Sequence, residues 1–306
     1  MLSVILCTYN RDRYLYNVLQ SVARNGFSDY EIVLVDNNST DNTRAECDRF
    51  CSHYPSVRLR YVFEPSQGLS YARNTGIRQA QGDILVYVDD DALVNEDYLQ
   101  TYASFFEQHP DAMAAGGPIL PLYDGCEEPR WMSHYTRQLV TGKLYLGEKE
   151  REFPGDAFPG GGNAAYRKEV FSLVGLFNVE LGRKGDSLIG AEEKDLFDKM
   201  TTRGIRFYYL PTAILYHLIP PKKLTDDYFD RLTLSIGKSE RYRTRLISKR
   251  KYRQRLLKEA IKWGGTLVLF AGFLLKGQPS KGTRLVRFRA NVTHGLLASG
   301  NKTTQQ

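Results

Sequence analysis

The chain has 306 residues, enough for one large domain or two smaller ones, and its 42% hydrophobic content excludes a disordered or fibrous protein. Its net charge of +7 is unevenly distributed: residues 220–306 hold 20 Lys and Arg against 5 Asp and Glu, whereas residues 1–219 hold 22 against 30. A net of +15 beside a net of −8 predicts an acidic body with a basic tail, which favours an anionic partner such as a membrane or a nucleic acid.

The first ninety residues alternate between strand and helix patterns. Short β-branched and aromatic runs predict four strands, at Leu2–Cys7, Glu31–Val35, Arg58–Phe63 and Ile84–Val88. The spacing of apolar residues between them predicts three helices, at Tyr14–Arg24, Thr40–His53 and Leu69–Gln79. This order indicates an α/β fold with a mainly parallel sheet and helices on both faces. Ligands of such sheets bind beyond the carboxyl ends of the strands.

Polar residues cluster where three of these strands end. Thr8–Arg11 follow the first strand, Asp36–Ser39 the second and Asp89–Asp91 the fourth. Turn and capping chemistry explains Asn37–Thr40 well, but it explains Tyr9 and three consecutive aspartates poorly. Three carboxylates behind a buried strand repel one another unless a cation or several donors neutralise them. Such oxygen ligands suit Mg²⁺ or Mn²⁺, whose coordination shell is often completed by substrate phosphates. An exposed acidic loop is the alternative explanation of the three aspartates.

Three features further along the chain are typical of a functional site. The loop Gly160–Asn163 has three glycines, which let the backbone approach a ligand closely, although a flexible turn has the same composition. Glu192 and Glu193 open a helix that stops at Gly204. Acidic residues at a helix start serve either acid–base chemistry or only the helix dipole. His217 lies in an apolar run, which by itself indicates a structural histidine.

In this combination the chain resembles the family 2 glycosyltransferases, which have the GT-A fold. Four stretches carry the resemblance at the expected spacing: residues 3–11, 31–41, 68–76 and 82–91. The Gly161-Gly162-Asn163 loop and the helix start at 192–195 also fit, so the resemblance covers roughly residues 1–219. It implies a GT-A type, Rossmann-like catalytic domain over 1–219, with 220–306 as a basic helical tail.

The resemblance implies that the strand-end residues bind a nucleotide-sugar donor. Asp36 would hold the nucleotide base by hydrogen bonding, the Thr8-Tyr9 segment by stacking, and Arg73 would lie near the nucleotide or diphosphate. The donor ligands implied in this way are Thr8, Tyr9, Asn10, Arg11, Asp36, Asn38, Arg73, Asp89 and Asp90. The loop between donor and acceptor would consist of Gly161, Gly162 and Asn163.

The resemblance also implies a divalent cation, Mn²⁺ or Mg²⁺. Asp89 and Asp91 correspond to the outer carboxylates of the family's Asp-x-Asp motif, with Asp91 as the direct ligand. Some relatives have a histidine downstream as an extra ligand, and His217 fits that place. The cation would bridge the diphosphate and take up charge as the sugar–phosphate bond breaks.

Members of this family invert the anomeric centre by direct displacement, so they need one general base for the acceptor hydroxyl. The base that aligns here is Glu193, where the family has an aspartate. The longer side chain shifts the carboxylate by about one methylene, which leaves Glu192 and Asp195 as alternatives. The expected reaction is sugar transfer to a hydroxyl of a glycan or lipid-linked acceptor, in surface polysaccharide biosynthesis.

The tail has its own pattern. Basic and apolar residues interleave over Arg241–Lys262, and Trp263–Leu275 is an uncharged, largely apolar run. Thirteen helical residues span about 20 Å, short of the roughly 30 Å hydrocarbon core, so a single crossing is not expected. The pattern predicts a basic amphipathic helix followed by a shallow apolar insertion, in peripheral contact with an anionic membrane. A helical hairpin packed on the catalytic domain is the alternative.

The location and two competing functions complete the expectations. The four cysteines lack paired metal-ligand spacing and no basic leader precedes the first strand, which predicts free thiols and a cytoplasmic location at the inner face of the membrane. A sugar-phosphate nucleotidyltransferase would have a glycine-rich loop after the first strand, but Thr8–Arg11 contains no glycine. A nucleic-acid-binding protein would use the basic tail, but the acidic body argues against nucleic acid as the main ligand.

Overall fold

A computed structural model describes residues 1–155, 157–185, 187–188 and 190–298; the last part of the predicted tail, 299–306, lies outside the described residues. Internal contacts divide the chain into two units. The first unit consists of Met1–Asp124, Thr141–Gly185 and Glu192–Ile219. The second consists of Gly125–Val140, Asp186–Ala191 and Pro220–Gln306.

The first unit is built on two β-sheets. Its strands, in chain order, are β1 Leu2–Thr8, β2 Tyr30–Asp36, β3 Leu59–Phe63, β4 Ile84–Asp89, β5 Ala92–Val94, β6 Ala114–Gly116, β7 Ile119–Tyr123, β8 Arg151–Glu152, β9 Asn163–Arg167, β10 Phe207–Tyr209 and β11 Leu215–Ile219. Among the described residues, an eight-stranded sheet has the order β3-β2-β1-β4-β9-β6-β10-β8, and a smaller one the order β5-β11-β7. β1 is parallel to β2 and β4, whereas β9 is antiparallel to both of its neighbours.

Helices cover this sheet and form most of the second unit. They are α1 Asp12–Ala23, α2 Thr43–His53, α3 Leu69–Gln79, α4 Tyr98–Gln108, α5 His134–Thr141, α6 Val170–Val174, α7 Glu192–Thr202, α8 Asp226–Ile247, α9 Lys249–Leu275 and α10 Pro279–Leu297. A 3₁₀ turn, Pro221–Leu224, precedes α8. The predicted α/β class with a mostly parallel sheet and flanking helices is confirmed.

The central strands are apolar because both of their faces are covered. Along β1, Val4 and Leu6 pack into one hydrophobic core with α1, and Ile5 packs into a second core with α3. Alternation along a strand sends neighbouring side chains to opposite faces, so a run without polar residues serves both cores. Gly76 of α3 allows close packing, since a Cβ there would lie 2.5 Å from Cγ2 of Ile5.

Three long helices dominate the second unit. The basic stretch predicted as one helix is divided at Ser248, whose extended backbone and side-chain hydrogen bond from the Lys251 N–H (3.0 Å) cap the start of α9. α8 and α10 approach closely at two glycines: a Cβ on Gly237 would lie 2.8 Å from Cα of Gly295. Within the described chain, none of the helices has the length and apolar character needed to cross a bilayer.

Candidate active site

The carboxyl ends of β1, β2 and β4 lie side by side, as the sheet order requires. Thr8 is in register with Asp36 on one side, and Cys7 with Asp89 on the other. The loops after β1 and β2 are tied together, because the Thr40 N–H donates to Oδ1 of Asn10 (2.8 Å). Asn10 has a positive φ of 50°, a conformation that asparagine tolerates better than most residues. The three polar clusters predicted from the sequence therefore share one edge of the sheet.

Asp36, the last residue of β2, is buried beside β3. It is 3% exposed; the Tyr61 hydroxyl donates to its Oδ2 (2.6 Å), and the Ser39 N–H donates to its Oδ1 (2.9 Å). Burial, and then the bond to Asp36, raise the pKa of Tyr61, so this hydroxyl keeps its proton. Sequence reasoning missed Tyr61. Its only signal was a tyrosine in the middle of the predicted third strand.

The three aspartates after β4 differ in environment. Asp89 is exposed, Asp90 half-buried and Asp91 buried. The Arg11 guanidinium lies 3.8 Å from Oδ1 of Asp90 and 3.7 Å from Oδ2 of Asp91. Loss of water around Asp90, and next the charge of Asp91, raise its pKa to about 7, while Arg11 lowers it. The Tyr9 N–H also donates to Asp90 (3.4 Å), so the middle carboxylate contacts protein groups on β1 and its loop.

Asp91, in the turn just before β5, forms a pair with His217 of β11, the strand next to β5. Nδ1 of His217 lies 2.7 Å from the carbonyl oxygen of Thr141. Since a carbonyl only accepts, Nδ1 carries a proton, as in histidines whose second nitrogen binds a metal. Nε2 then faces Oδ1 of Asp91 at 3.4 Å, where a cation can bind to both atoms. The spacing is about that of adjacent ligands of one ion, each about 2.1 Å from it.

This pair suits a metal site that substrate and water complete better than a site formed by protein ligands alone. Among the residues that the structure describes, no group of three or more His, Cys, Asp or Glu side chains is arranged to hold a metal ion. Asp91 and His217 together offer one carboxylate oxygen and one imidazole nitrogen. Mg²⁺ and Mn²⁺ are commonly held by one or two protein side chains, with water and substrate phosphates as the other ligands. The residues present fit that kind of site.

A second group of charges lies at the start of α7. Arg73 is 3% exposed, and its Nη1 and Nη2 bond to Oε1 of Glu192 (3.0 Å) and Oε1 of Glu193 (2.7 Å). The Gly161 N–H donates to Oε2 of Glu193 (3.2 Å), so two donors orient this carboxylate. Glu192 is buried, and burial raises its pKa although Arg73 lowers it. Glu193 remains 31% exposed.

Asp195, the third candidate base, has a different environment. It is two residues beyond Glu193 on α7, and residues with that spacing lie on different sides of a helix. Its Oδ2 forms an ion pair with Nζ of Lys199 (2.7 Å), one turn further along. Arg73 was expected near the nucleotide or diphosphate, and in the structure its guanidinium contacts the two glutamates. Its role as a donor ligand stays a prediction.

The glycine loop lies against carboxylates. A Cβ on Gly161 would lie 1.7 Å from Oε1 of Glu193, and one on Gly162 would lie 2.1 Å from Oδ2 of Asp89. Two consecutive residues of the loop are therefore in contact with one of these carboxylates each. The Asn163 side chain faces inward. Its oxygen accepts hydrogen bonds from the hydroxyls of the buried Tyr98 and Tyr102. Its nitrogen donates to the carbonyl oxygens of Pro118 and Ala213. Asn163 thus anchors the loop from inside.

Known proteins with a similar fold include several sugar transferases. A mannosyltransferase from Pyrobaculum calidifontis, solved with GDP-Man and Mn²⁺, has a TM-score of 0.61 at 18% identity over 98% of this chain and 88% of its own. Residues 1–349 of TarS from Staphylococcus aureus, solved with UDP-GlcNAc, have a TM-score of 0.52 at 18% identity over 96% and 89%. At this identity the likeness establishes the GT-A fold alone.

Sequence comparison identifies the family. A glucosyl-dolichyl phosphate glucuronosyltransferase of Haloferax volcanii is 27% identical over 195 residues. That match covers 62% of this chain and 60% of the relative. The poly(ribitol-phosphate) β-N-acetylglucosaminyltransferase TarS of Staphylococcus aureus is 31% identical over 109 residues, 35% of this chain and 19% of TarS. The chain thus spans less than two thirds of these relatives. The model of glycosyl transferase family 2 matches residues 3–175, more than half of the chain, which therefore belongs to this family.

Proposed function

We propose that this glycosyltransferase catalyses metal-dependent, inverting transfer of a sugar from a nucleotide-sugar donor to a hydroxyl of a glycan or lipid-linked acceptor. The observation that carries the proposal is the pair Gly161-Gly162, against which the carboxylates of Glu193 and Asp89 both pack. A base candidate and a carboxylate that we expect to bind the donor therefore lie against consecutive residues of one loop. Single displacement needs such proximity, because the acceptor hydroxyl is deprotonated while it attacks the donor sugar.

Glu193 is the base that the geometry supports best. It combines partial exposure with an oriented carboxylate, since Arg73 holds one oxygen and Gly161 the other. Glu192 is buried and has a raised pKa, which suits a partner of Arg73 better than a group that must reach an acceptor. Asp195 is paired with Lys199. In the proposed reaction the acceptor O–H bond breaks, its proton passes to Glu193, and the new sugar–oxygen bond replaces the sugar–phosphate bond.

The strand-end residues would bind the donor. Asp36 offers a carboxylate acceptor beside the loop Thr8–Arg11, held in place by hydrogen bonds from the Tyr61 hydroxyl and the Ser39 N–H, which suits a donor group on the edge of a nucleotide base. Asp91 and His217 would hold the divalent cation, and Arg11 already lies beside Asp91. When bound, that cation would neutralise the diphosphate and so make it a better leaving group. Mn²⁺ and Mg²⁺ both suit these ligands.

The names of the relatives support the proposed acceptor class. One relative is a glucosyl-dolichyl phosphate glucuronosyltransferase and another a poly(ribitol-phosphate) β-N-acetylglucosaminyltransferase. A dolichyl phosphate is a lipid carrier, and poly(ribitol-phosphate) is a polyol polymer. We therefore place the reaction in surface polysaccharide biosynthesis, at the inner face of the cell membrane where a lipid-linked acceptor is met.

A donor panel tests this proposal. UDP-, GDP- and dTDP-linked hexoses are screened by thermal shift with and without Mn²⁺, because a bound donor raises Tm by mass action. Asp91→Ala is expected to abolish the Mn²⁺-dependent part of the shift, and Asp83→Ala, at the other end of β4, to preserve it. Glu193→Gln is expected to bind donor but not to transfer sugar, whereas Asp195→Asn keeps transfer. A full Mn²⁺-dependent shift in Asp91→Ala, or transfer by Glu193→Gln, refutes the assigned roles.

A further inference from the structure

Helix α9 exposes a continuous apolar stripe. The stripe consists of Leu257, Ile261, Gly264, Val268, Ala271 and Leu275. Their spacing of four, three, four, three and four residues places them on one face of the helix. Leu257 is 65% exposed, Ile261 68%, Val268 73% and Leu275 90%. Scattered exposed aliphatic residues are ordinary, but a contiguous stripe on one helix marks an interaction surface.

The opposite face of α9 packs on the bundle with aromatic as well as polar side chains, since Phe270 and Phe273 lie against Gly282 of α10. The buried residues of α9 are Glu259 and Thr266. Glu259 accepts hydrogen bonds from Arg255 (2.7 Å) and Arg289 (2.8 Å), and Nε of Arg289 contacts the Thr266 hydroxyl (3.4 Å). These polar side chains of α9 therefore bond to the bundle. The aliphatic side chains of the stripe are presented outward.

The amino-terminal end of the same face is basic. Arg250 and Arg253 continue the stripe with the same spacing, and both are exposed, as are Lys249 and Lys258 beside them. The only acidic residue of α9 is the buried Glu259. The outward charge of the helix is thus entirely positive. We call the stripe together with Arg250 and Arg253 the α9 face.

We propose that the α9 face docks in the plane of an anionic lipid bilayer, with the stripe at the acyl boundary and the two arginines at the headgroups. Such a surface offers negative charge and, directly beneath it, apolar material, in the order that the face requires. A second copy of the chain would bring like charges together. An orientation along the surface also fits the length, since residues 263–275 span about 20 Å of a roughly 30 Å hydrocarbon core. The inference deepens the proposed location and does not depend on the transfer chemistry.

Vesicle flotation of the full chain tests the α9 face. Phosphatidylcholine vesicles with and without phosphatidylglycerol separate the apolar contribution from the ionic one. Ile261→Ser/Val268→Ser is expected to lose at least about tenfold in vesicle affinity, because two exposed aliphatic side chains are removed from the contact. Arg250→Gln/Arg253→Gln is expected to lose about tenfold or more on anionic vesicles and little on neutral ones. Leu173→Ser and Arg206→Gln, exposed residues of the first unit, serve as matched controls that bind like wild type.

Thermal unfolding shows whether the variants are folded, which the exposure of the altered residues leads us to expect. Unchanged vesicle binding in the stripe variant, or equal binding of wild type to neutral and anionic vesicles, overturns the proposal. Self-association that the stripe variant abolishes, without vesicle binding by wild type, identifies a second copy as the occupant and also overturns it. Salt-sensitive binding of nucleic acid without vesicle binding does the same. If both variants still show the donor-induced thermal shift, their vesicle binding is affected independently of the proposed transfer chemistry.

Discussion

Replacing Arg73 with methionine tests the charge group at the start of α7. The variant keeps an unbranched side chain of similar length but leaves the buried Glu192 without its cation. Removing one partner of a buried ion pair costs about 3–5 kcal/mol, because the other charge stays desolvated. At about 2–4 °C per kcal/mol for a domain of this size, Tm is expected to fall by roughly 6–20 °C. Transfer is expected to fall as well, since Glu193 loses one of its two orienting donors.

A double variant separates stability from positioning. Arg73→Met/Glu192→Gln removes both charges of the buried pair, so most of the lost stability should return, measured by urea unfolding. Transfer should stay low, because Glu193 still lacks its hydrogen bond from Nη2. Arg206→Met breaks an exposed pair with Glu152 and is the control that leaves Tm unchanged. The reasoning is refuted if the free energy of unfolding of Arg73→Met lies within about 1 kcal/mol of the wild-type value. It is also refuted if the double variant is no more stable than the single one.

Three other perturbations have defined outcomes. Gly161→Ala places a Cβ 1.7 Å from Oε1 of Glu193 and should lower kcat about 100-fold, whereas Gly26→Ala, in open space, should not; steady-state kinetics and Tm decide. His217→Gln should weaken Mn²⁺ binding roughly 10–100-fold in a calorimetric titration, and an unchanged affinity excludes the proposed ligand. Burial raises the pKa of Glu259, but hydrogen bonds from Arg289 and Arg255 outweigh this and hold it below the ordinary value. The free energy of unfolding of the second unit should therefore fall as pH drops below about 5. Its dependence on pH should be smaller in Glu259→Gln.

The sequence predicts the first half of the fold closely because its periodic signals are strong. The predicted helix Leu69–Gln79 has the observed bounds of α3, and the run Ile84–Val88 is one residue short of β4. Turn residues precede both segments, Gly68 before α3 and Gly82-Asp83 before β4, and the run Ile84–Val88 is apolar throughout. The α/β class followed from the order of these elements, and the family from the four stretches that resemble it. The sheet topology confirms the class and the family model confirms the family.

The centre of the sheet was not predictable in the same way. β9, Asn163–Arg167, lies between β4 and β6 and runs antiparallel to both, but its sequence was read as the end of a glycine loop. Two alanines in a five-residue strand give neither alternation nor a β-branched run. The position of β9 depends on contacts with strands far away in the sequence. Asn163, for example, bonds to the carbonyls of Pro118 and Ala213. Local pattern carries no information on such partners.

At Gly161 and Gly162 the structure adds a second physical reason for the absence of side chains. Their lack of side chains was expected to let the backbone approach a ligand. In the structure the same lack of volume admits Glu193 and Asp89, whose carboxylates fill the space that two Cβ atoms would need. The glutamate at 193 then acquires a physical rationale, since the longer side chain reaches both the Gly161 N–H and Arg73. The loop, Glu193 and Arg73 therefore form one unit, and the length of the glutamate side chain is matched to the glycine that it contacts.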